Sequence, residues 1–118
     1  MNKKAMGNAA EDTGAAWLES MGMRILERNY RCRVGEIDII GLMDGMLVMV
    51  EVRSRSSADR GSPAESVNYR KKLKLRQVAT WYLCKNNKAD NACRFDVLSL
   101  LYNKNKTSVQ IEWIRNAF

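Results

Sequence analysis

Along residues 34–55 apolar side chains run in two stretches around one polar break, a pattern that predicts a β-hairpin. Val34 to Met43 and Met46 to Arg55 read as its strands, and Asp44-Gly45 is a strong two-residue turn signal. With that turn Leu42 faces Leu47, Ile40 faces Met49, Asp38 faces Glu51 and Glu36 faces Arg53. The opposite face pairs Ile39 with Val50 and Ile37 with Val52. A one-residue slip would set charges against the apolar face, so the pattern itself supports the register.

The flanking segments carry other periods. From about Asn8 to Met21 an alanine-rich stretch has Ala15, Trp17, Leu18 and Met21 on one side, an amphipathic helix that Gly22 would end as C′ residue. MRILERNYRCR then suggests a basic, less clearly patterned strand. After the polar loop SRSSADRG, Ser62-Pro63-Ala64-Glu65 reads as a capping box with proline at the first helical position. That helix is expected to run to about Lys85, burying Leu75, Val78 or Ala79, and Tyr82. Two further strands, near Cys93–Leu101 and Ser108–Arg115, complete the order α-β-β-β-α-β-β. The expectation is one α/β domain over residues 1–118, a mixed β-sheet flanked by helices.

Composition narrows the chemistry. The chain has no histidine, which removes serine–histidine and cysteine–histidine catalysis in their usual forms. Cys32, Cys84 and Cys93 are scattered and odd in number, which argues against a disulfide framework and against a zinc site. An enzyme built from these residues works with carboxylates, Lys/Arg or a hard metal. No apolar run is long enough to span a bilayer, and the N-terminus lacks the apolar core of a signal peptide. A cytoplasmic protein with no membrane partner is therefore expected. The 20 Lys+Arg against 13 Asp+Glu leave a net charge of +7, which favours polyanionic partners, nucleic acid foremost.

The hairpin register raises one question that folding does not answer. It sets the Asp38 and Glu51 Cβ atoms only ~5 Å apart, and like charges directly across two strands are destabilising. A divalent cation would relieve that repulsion, since Mg²⁺ takes a few carboxylates plus waters and phosphate oxygens. A shared proton, or neighbouring lysines and arginines, would relieve it too. Glu36 opposite Arg53 reads as an ordinary cross-strand salt bridge, and Glu65 as a capping residue. Lys71, Lys72, Lys74 and Arg76, with Arg70, crowd the first half of the second helix. They form either a solvated face or, with Arg31, Arg33, Arg55 and Arg60, a surface for phosphates.

Asp38 followed thirteen positions later by Glu51-Val52-Arg53 resembles the PD-(D/E)XK nuclease core, in which Asp and Glu bind metal and a lysine completes the site. Over nearly its whole length the chain is similar to the YraN-type family of small bacterial proteins, related to archaeal Holliday-junction resolvases. The similarity runs through Gly7, Glu11 and Leu18, then ERNYRCRVGEIDII, LVMVEVRSR, GSPAESV, the lysines and Leu75-to-Leu83 stretch, and RFDVL. It implies a restriction-endonuclease-like fold and hydrolysis of phosphodiester bonds that depends on Mg²⁺ or Mn²⁺. Asp38, Glu51 and Glu11 would be the metal-binding carboxylates, Arg53 would stand at the lysine position, and the preferred substrate would be structured or branched DNA. A homodimer would suit symmetric junction cleavage. Two residues depart from the pattern. The family's GExxA appears as Ala10-Glu11, without its glycine, and the lysine of ExK is Arg53. The alternative is a catalytically silent module of the same fold that binds nucleic acid or a protein partner.

Overall fold

The computed structural model describes residues 3–56 and 67–118, with side chains from residue 8 onward. Two helices, α1 (Lys3–Ser20) and α2 (Tyr69–Lys85), cover a five-stranded sheet. Its strands are β1 (Arg24–Cys32), β2 (Gly35–Met43), β3 (Met46–Ser56), β4 (Cys93–Tyr102) and β5 (Val109–Ile114), lying in chain order across the sheet. Neighbours are antiparallel except β3 and β4, which run parallel and are joined by a connection that includes α2. The element order and the mixed α/β sheet are those expected from the sequence.

The two central strands are apolar on both faces because a helix layer covers each. On one face Leu75, Val78, Ala79 and Tyr82 of α2 join Ile37, Ile40, Leu47, Met49 and Val97 in a buried core. On the other, Ala10, Ala15 and Leu18 of α1 pack with Ile39, Val48, Val50, Leu98 and Leu100. Asp44 and Gly45 both take positive φ, 52° and 78°, as a tight primed turn demands, and Met43 pairs with Met46 across it. Gly22 at φ 102° closes α1: Met23 N–H reaches Leu18 O and Gly22 N–H reaches Glu19 O, the paired bonds of a Schellman end.

Three local expectations are corrected. The α2 helix begins at Tyr69, after Val67 and Asn68, which are not helical, so no unbroken helix runs from the proposed start; the 62–65 capping box itself lies outside the described residues together with Arg60. Asn68 is extended, and its side chain accepts the Lys71 N–H at 2.8 Å, so the chain enters the helix there. Met21, expected on the apolar side of α1, is 45% exposed because it falls past the last helical turn. Ile37 packs on the α2 side with Ile40, not opposite it with Ile39, because the alternation of β2 slips beside Asp38.

One glycine controls how closely α1 approaches the sheet. A Cβ added at Gly14 would lie 2.9 Å from Leu98 Cδ2, and Leu98 is fully buried. Alanine would gain about 0.5–1 kcal/mol of helix propensity, against about 1–3 kcal/mol for overpacking. Gly14→Ala is therefore expected to lower stability by about 1 kcal/mol. In a Leu98→Ala background the same change should be neutral or stabilising, and urea unfolding of the four proteins in the cycle measures that coupling.

Candidate functional site

The β2–β3 ladder runs from Met43↔Met46 to Ile39↔Val50 and stops there. Beyond it β3 stays with β4 as far as Ser56↔Tyr102, while β2 stays with β1 as far as Gly35↔Cys32. The two strands of the hairpin part at this level, and Asp38 is the first residue in the fork. Its Oδ2 accepts the Val52 N–H at 2.8 Å, so a side chain takes a backbone donor at the point where the ladder ends. On the opposite neighbour Asn29, between the pairs Arg28↔Ile39 and Tyr30↔Ile37, has φ 52°. Asparagine visits that left-handed conformation more readily than most residues. Both β1 and β2 are therefore irregular at the level of Asp38.

The expected ladder pair of Asp38 with Glu51 is not formed, because the ladder ends one position earlier, but the Asp38 charge still acts on Glu51 of β3 and on Glu11 of α1. Glu51 on β3 is only 5% exposed; burial, then the Asp38 charge, pushes it up from 4.5 to about 7, against the pull of Lys71 and Arg53. Glu11 on α1 is also pushed up to about 7, by burial and then by the charge and hydrogen bond of Asp38. Its Oε2 is buried with no hydrogen-bond partner among the described residues. Burial raises Asp38 as well, opposed by the Val52 N–H, Glu11 and Lys71. Asp38 thus couples to Glu11 and to Glu51. Among the described residues no three acidic or sulfur side chains converge as a ready-made ligand cage. Mg²⁺ does not require one, since one or two carboxylates with waters and substrate oxygens suffice. Hard oxygen donors, incompletely neutralised and partly desolvated, fit Mg²⁺ or Mn²⁺. Asp38 and Glu51 would hold such an ion, with Glu11 behind Asp38.

A model of Uncharacterised protein family UPF0102 matches residues 10–100. A UPF0102 protein of Desulforamulus reducens is 46% identical over 119 residues, which cover 99% of this chain and 98% of that protein. Another, from Moorella thermoacetica, is 43% identical, covering 100% of this chain and 98% of its own length. The relative from Clostridioides difficile is 42% identical over the full length of both. The chain belongs to the UPF0102 family. This is the YraN-type family that its motifs resemble, and the matched span holds Glu11, Asp38, Glu51, Arg53 and Lys71.

Cations in this UPF0102 chain do not all stand where the sequence suggested. Arg31, across β1–β2, takes Glu36 at 3.0 Å, so the expected Glu36–Arg53 pair is not made. The strands have parted before they reach Glu36, and Arg53 Nη1 lies instead 3.8 Å from Glu51 Oε1. The basic residues of α2 fan apart because successive helical positions turn by about 100°. Lys71 Nζ lies 3.4 Å from Glu51 Oε1. Lys72 stands over the Phe118 ring and Arg76 over Phe95. Lys74 lines an open cleft of about 500 Å³ with Arg31, Arg33 and Glu36. Arg55 lies in a separate depression beside Ser99 and Glu112. Periodicity gave no warning that Lys71 reaches Glu51; the absence of any acid in the first turn of α2 was the available hint.

Among the described residues no helix is long and apolar enough to cross a membrane. Cys32, Cys84 and Cys93 are free thiols. Asp96, fully buried, is a structural acid: it accepts bonds from Arg94 Nε, Trp113 Nε1 and the Asn116 N–H, tying β5 and the following residues to β4.

The raised carboxyls give stability a pH dependence of definite sign. From pH 4.5 to about 7 the folded protein retains protons on Glu11 and Glu51 that the unfolded chain has released. Metal-free stability therefore falls as pH rises through this window and levels off above it. In EDTA the melting temperature should drop by several degrees from about pH 5 to about pH 8, corresponding to about 1–3 kcal/mol. Glu51→Gln should flatten that slope, and Mg²⁺ or Mn²⁺ at the alkaline end should restore the loss. Calorimetric melts across pH, with and without metal, check all three.

Proposed function

We propose that this protein is a metal-dependent DNA endonuclease that hydrolyses phosphodiester bonds in structured or branched DNA. The observation that carries the reading is the fork between β2 and β3, where a half-buried Asp38 raises a buried Glu51 that has two cationic side chains beside it. A protein selected for stability alone has no use for that arrangement.

A bound Mg²⁺ or Mn²⁺ would supply Lewis-acid stabilisation of the phosphate and a water of lowered pKa. Asp38 and Glu51 would hold it. The Val52 N–H fixes Oδ2 of Asp38, and Glu11 interacts with the same carboxyl group. Glu11 sets the charge and orientation of Asp38 from the α1 side. At Arg53 the guanidinium would stabilise negative charge developing on the phosphate. Arginine stays charged in proteins, so it is not the base. Lys74, Arg31 and Arg33, with Glu36, line an open cleft that would take a DNA backbone. Two copies acting together would suit a symmetric junction.

The test is cleavage of labelled linear, flap and four-way DNA by purified protein. Cutting should require Mg²⁺ or Mn²⁺, stop in EDTA, and fall at least about a hundredfold in Asp38→Asn while DNA binding persists. Arg53→Lys should retain or raise the rate and Arg53→Ala should lower it. One observation favours a second reading, a catalytically silent nuclease-fold module: Arg53 stands where the pattern has lysine. Salt-sensitive binding with no cleavage of any substrate by any variant would establish that reading instead.

The fanning of the α2 cations sharpens the binding prediction. Arg33→Ala and Lys74→Ala should each reduce the log–log salt slope of duplex binding by about 0.9. Lys72→Ala should change it less, because that ammonium faces Phe118. Fluorescence anisotropy across a salt series gives the slopes, and unchanged values for Arg33 and Lys74 would move the interface away from this cleft.

A further inference from the structure

Glu51 has two cations against one oxygen, and they come from different elements. Arg53, two residues further along β3, brings Nη1 to 3.8 Å from Oε1, and Lys71, in the first turn of α2, brings Nζ to 3.4 Å. Packing does not require Lys71 to be there, because the buried side of α2 is made by Leu75, Val78, Ala79 and Tyr82. Its placement is nonetheless fixed: Asn68 Oδ1 accepts the Lys71 N–H at 2.8 Å and anchors the turn that carries it. Arg70, Lys71 and Lys72 also stand at the positive end of the helix dipole, with no acid in that turn to compensate. Lys71 lowers both Glu51 and Asp38, so it acts on the pair and not on one partner.

We infer that Lys71 is the second cation of the site: it neutralises Glu51 when no divalent ion is bound, and turns to the scissile phosphate when one is. The first half rests on geometry alone; the second rests on the endonuclease reading. A carboxylate oxygen that ligates a divalent ion cannot also keep an ammonium within 3.4 Å without like-charge repulsion, so the lysine must yield. Its side chain is able to move, being 40% exposed, on a flexible four-carbon stem that ends in a compact charge. The guanidinium of Arg53 is broader and 31% exposed, on a strand whose ladder with β4 continues past it. The helix therefore supplies the ammonium that the Asp…Glu-x-Lys pattern puts on the strand. Until it meets phosphate, Lys71 is a positioning residue.

The experiment compares the parent protein with Lys71→Met and Lys71→Arg. Mn²⁺ alone is titrated calorimetrically at fixed mildly alkaline pH, DNA affinity is measured in Ca²⁺, and cleavage is followed in single turnover. Lys71→Met should bind Mn²⁺ about tenfold more tightly, because a competing positive charge has gone. It should cleave at least about a hundredfold more slowly, while its Ca²⁺-supported DNA affinity changes less than about fivefold. Lys71→Arg should return Mn²⁺ affinity towards the parent value and restore cleavage only in part, since a guanidinium is charged but differently shaped. Unchanged Mn²⁺ affinity in a folded Lys71→Met protein, or no Mn²⁺ binding by the parent, overturns the counter-cation role. Parental cleavage by Lys71→Met overturns the phosphate role. If the parent never cleaves but Lys71→Met still binds Mn²⁺ more tightly, the endonuclease reading and the phosphate role fail while the counter-cation role stands.

Discussion

The hydrogen bond from Val52 N–H to the Asp38 carboxylate is the contact on which the candidate site depends. A continuous β2–β3 ladder would satisfy Val52 with a carbonyl and set the Asp38 and Glu51 side chains directly across from each other. Substituting a side-chain oxygen lets the strands part after Ile39↔Val50 while leaving that donor satisfied. The separation has consequences on both sides. β2 carries Glu36 away with β1, where Arg31 takes it, and β3 carries Glu51 and Arg53 along β4. Irregular backbone is tolerated at this level because the core above it is complete: Ile39, Ile40, Met49 and Val50 are all buried.

Most of the fold was legible because hydrophobic period and turn chemistry agree. The Asp44-Gly45 turn fixed the register of the hairpin's upper half, and Gly22 marked the end of α1. Two of the readings that failed share one cause, which is that alternation was extended through a point where a polar side chain overrides it. Ile37 was given the wrong face and Glu36 the wrong partner because the ladder was continued past Asp38. The unbroken helix expected through Val67 and Asn68 is not formed, because the Asn68 side chain caps a helix that starts at Tyr69. Asp38 and Glu51 were readable as a pair that folding does not ask for. Lys71 was not readable as their neighbour, because i, i+3 and i+4 rules describe one helix and not its reach across a sheet.

Placement of the carboxyls trades stability for poise. Burial alone raises all three, and their mutual coupling raises Glu11 and Glu51 further. The compensation from Lys71 and Arg53 is incomplete at both distances. Removing those cations would leave buried acids that simply bind protons and become inert oxygen donors. Adding closer, tighter partners would neutralise the acids permanently and exclude a metal ion. The carboxyls lie between these limits: with Glu11 and Glu51 raised only to about 7, they carry anionic charge above neutral pH.

Arginine at position 53 makes sense within that balance. A guanidinium spreads its charge and has several N–H donors, so it is able to meet Glu51 with one edge while presenting another elsewhere. On the proposal made for Lys71, the departure from the lysine pattern at Arg53 and the contact of Lys71 with Glu51 would be parts of one arrangement, with the ammonium supplied from the helix and a guanidinium in its place on the strand.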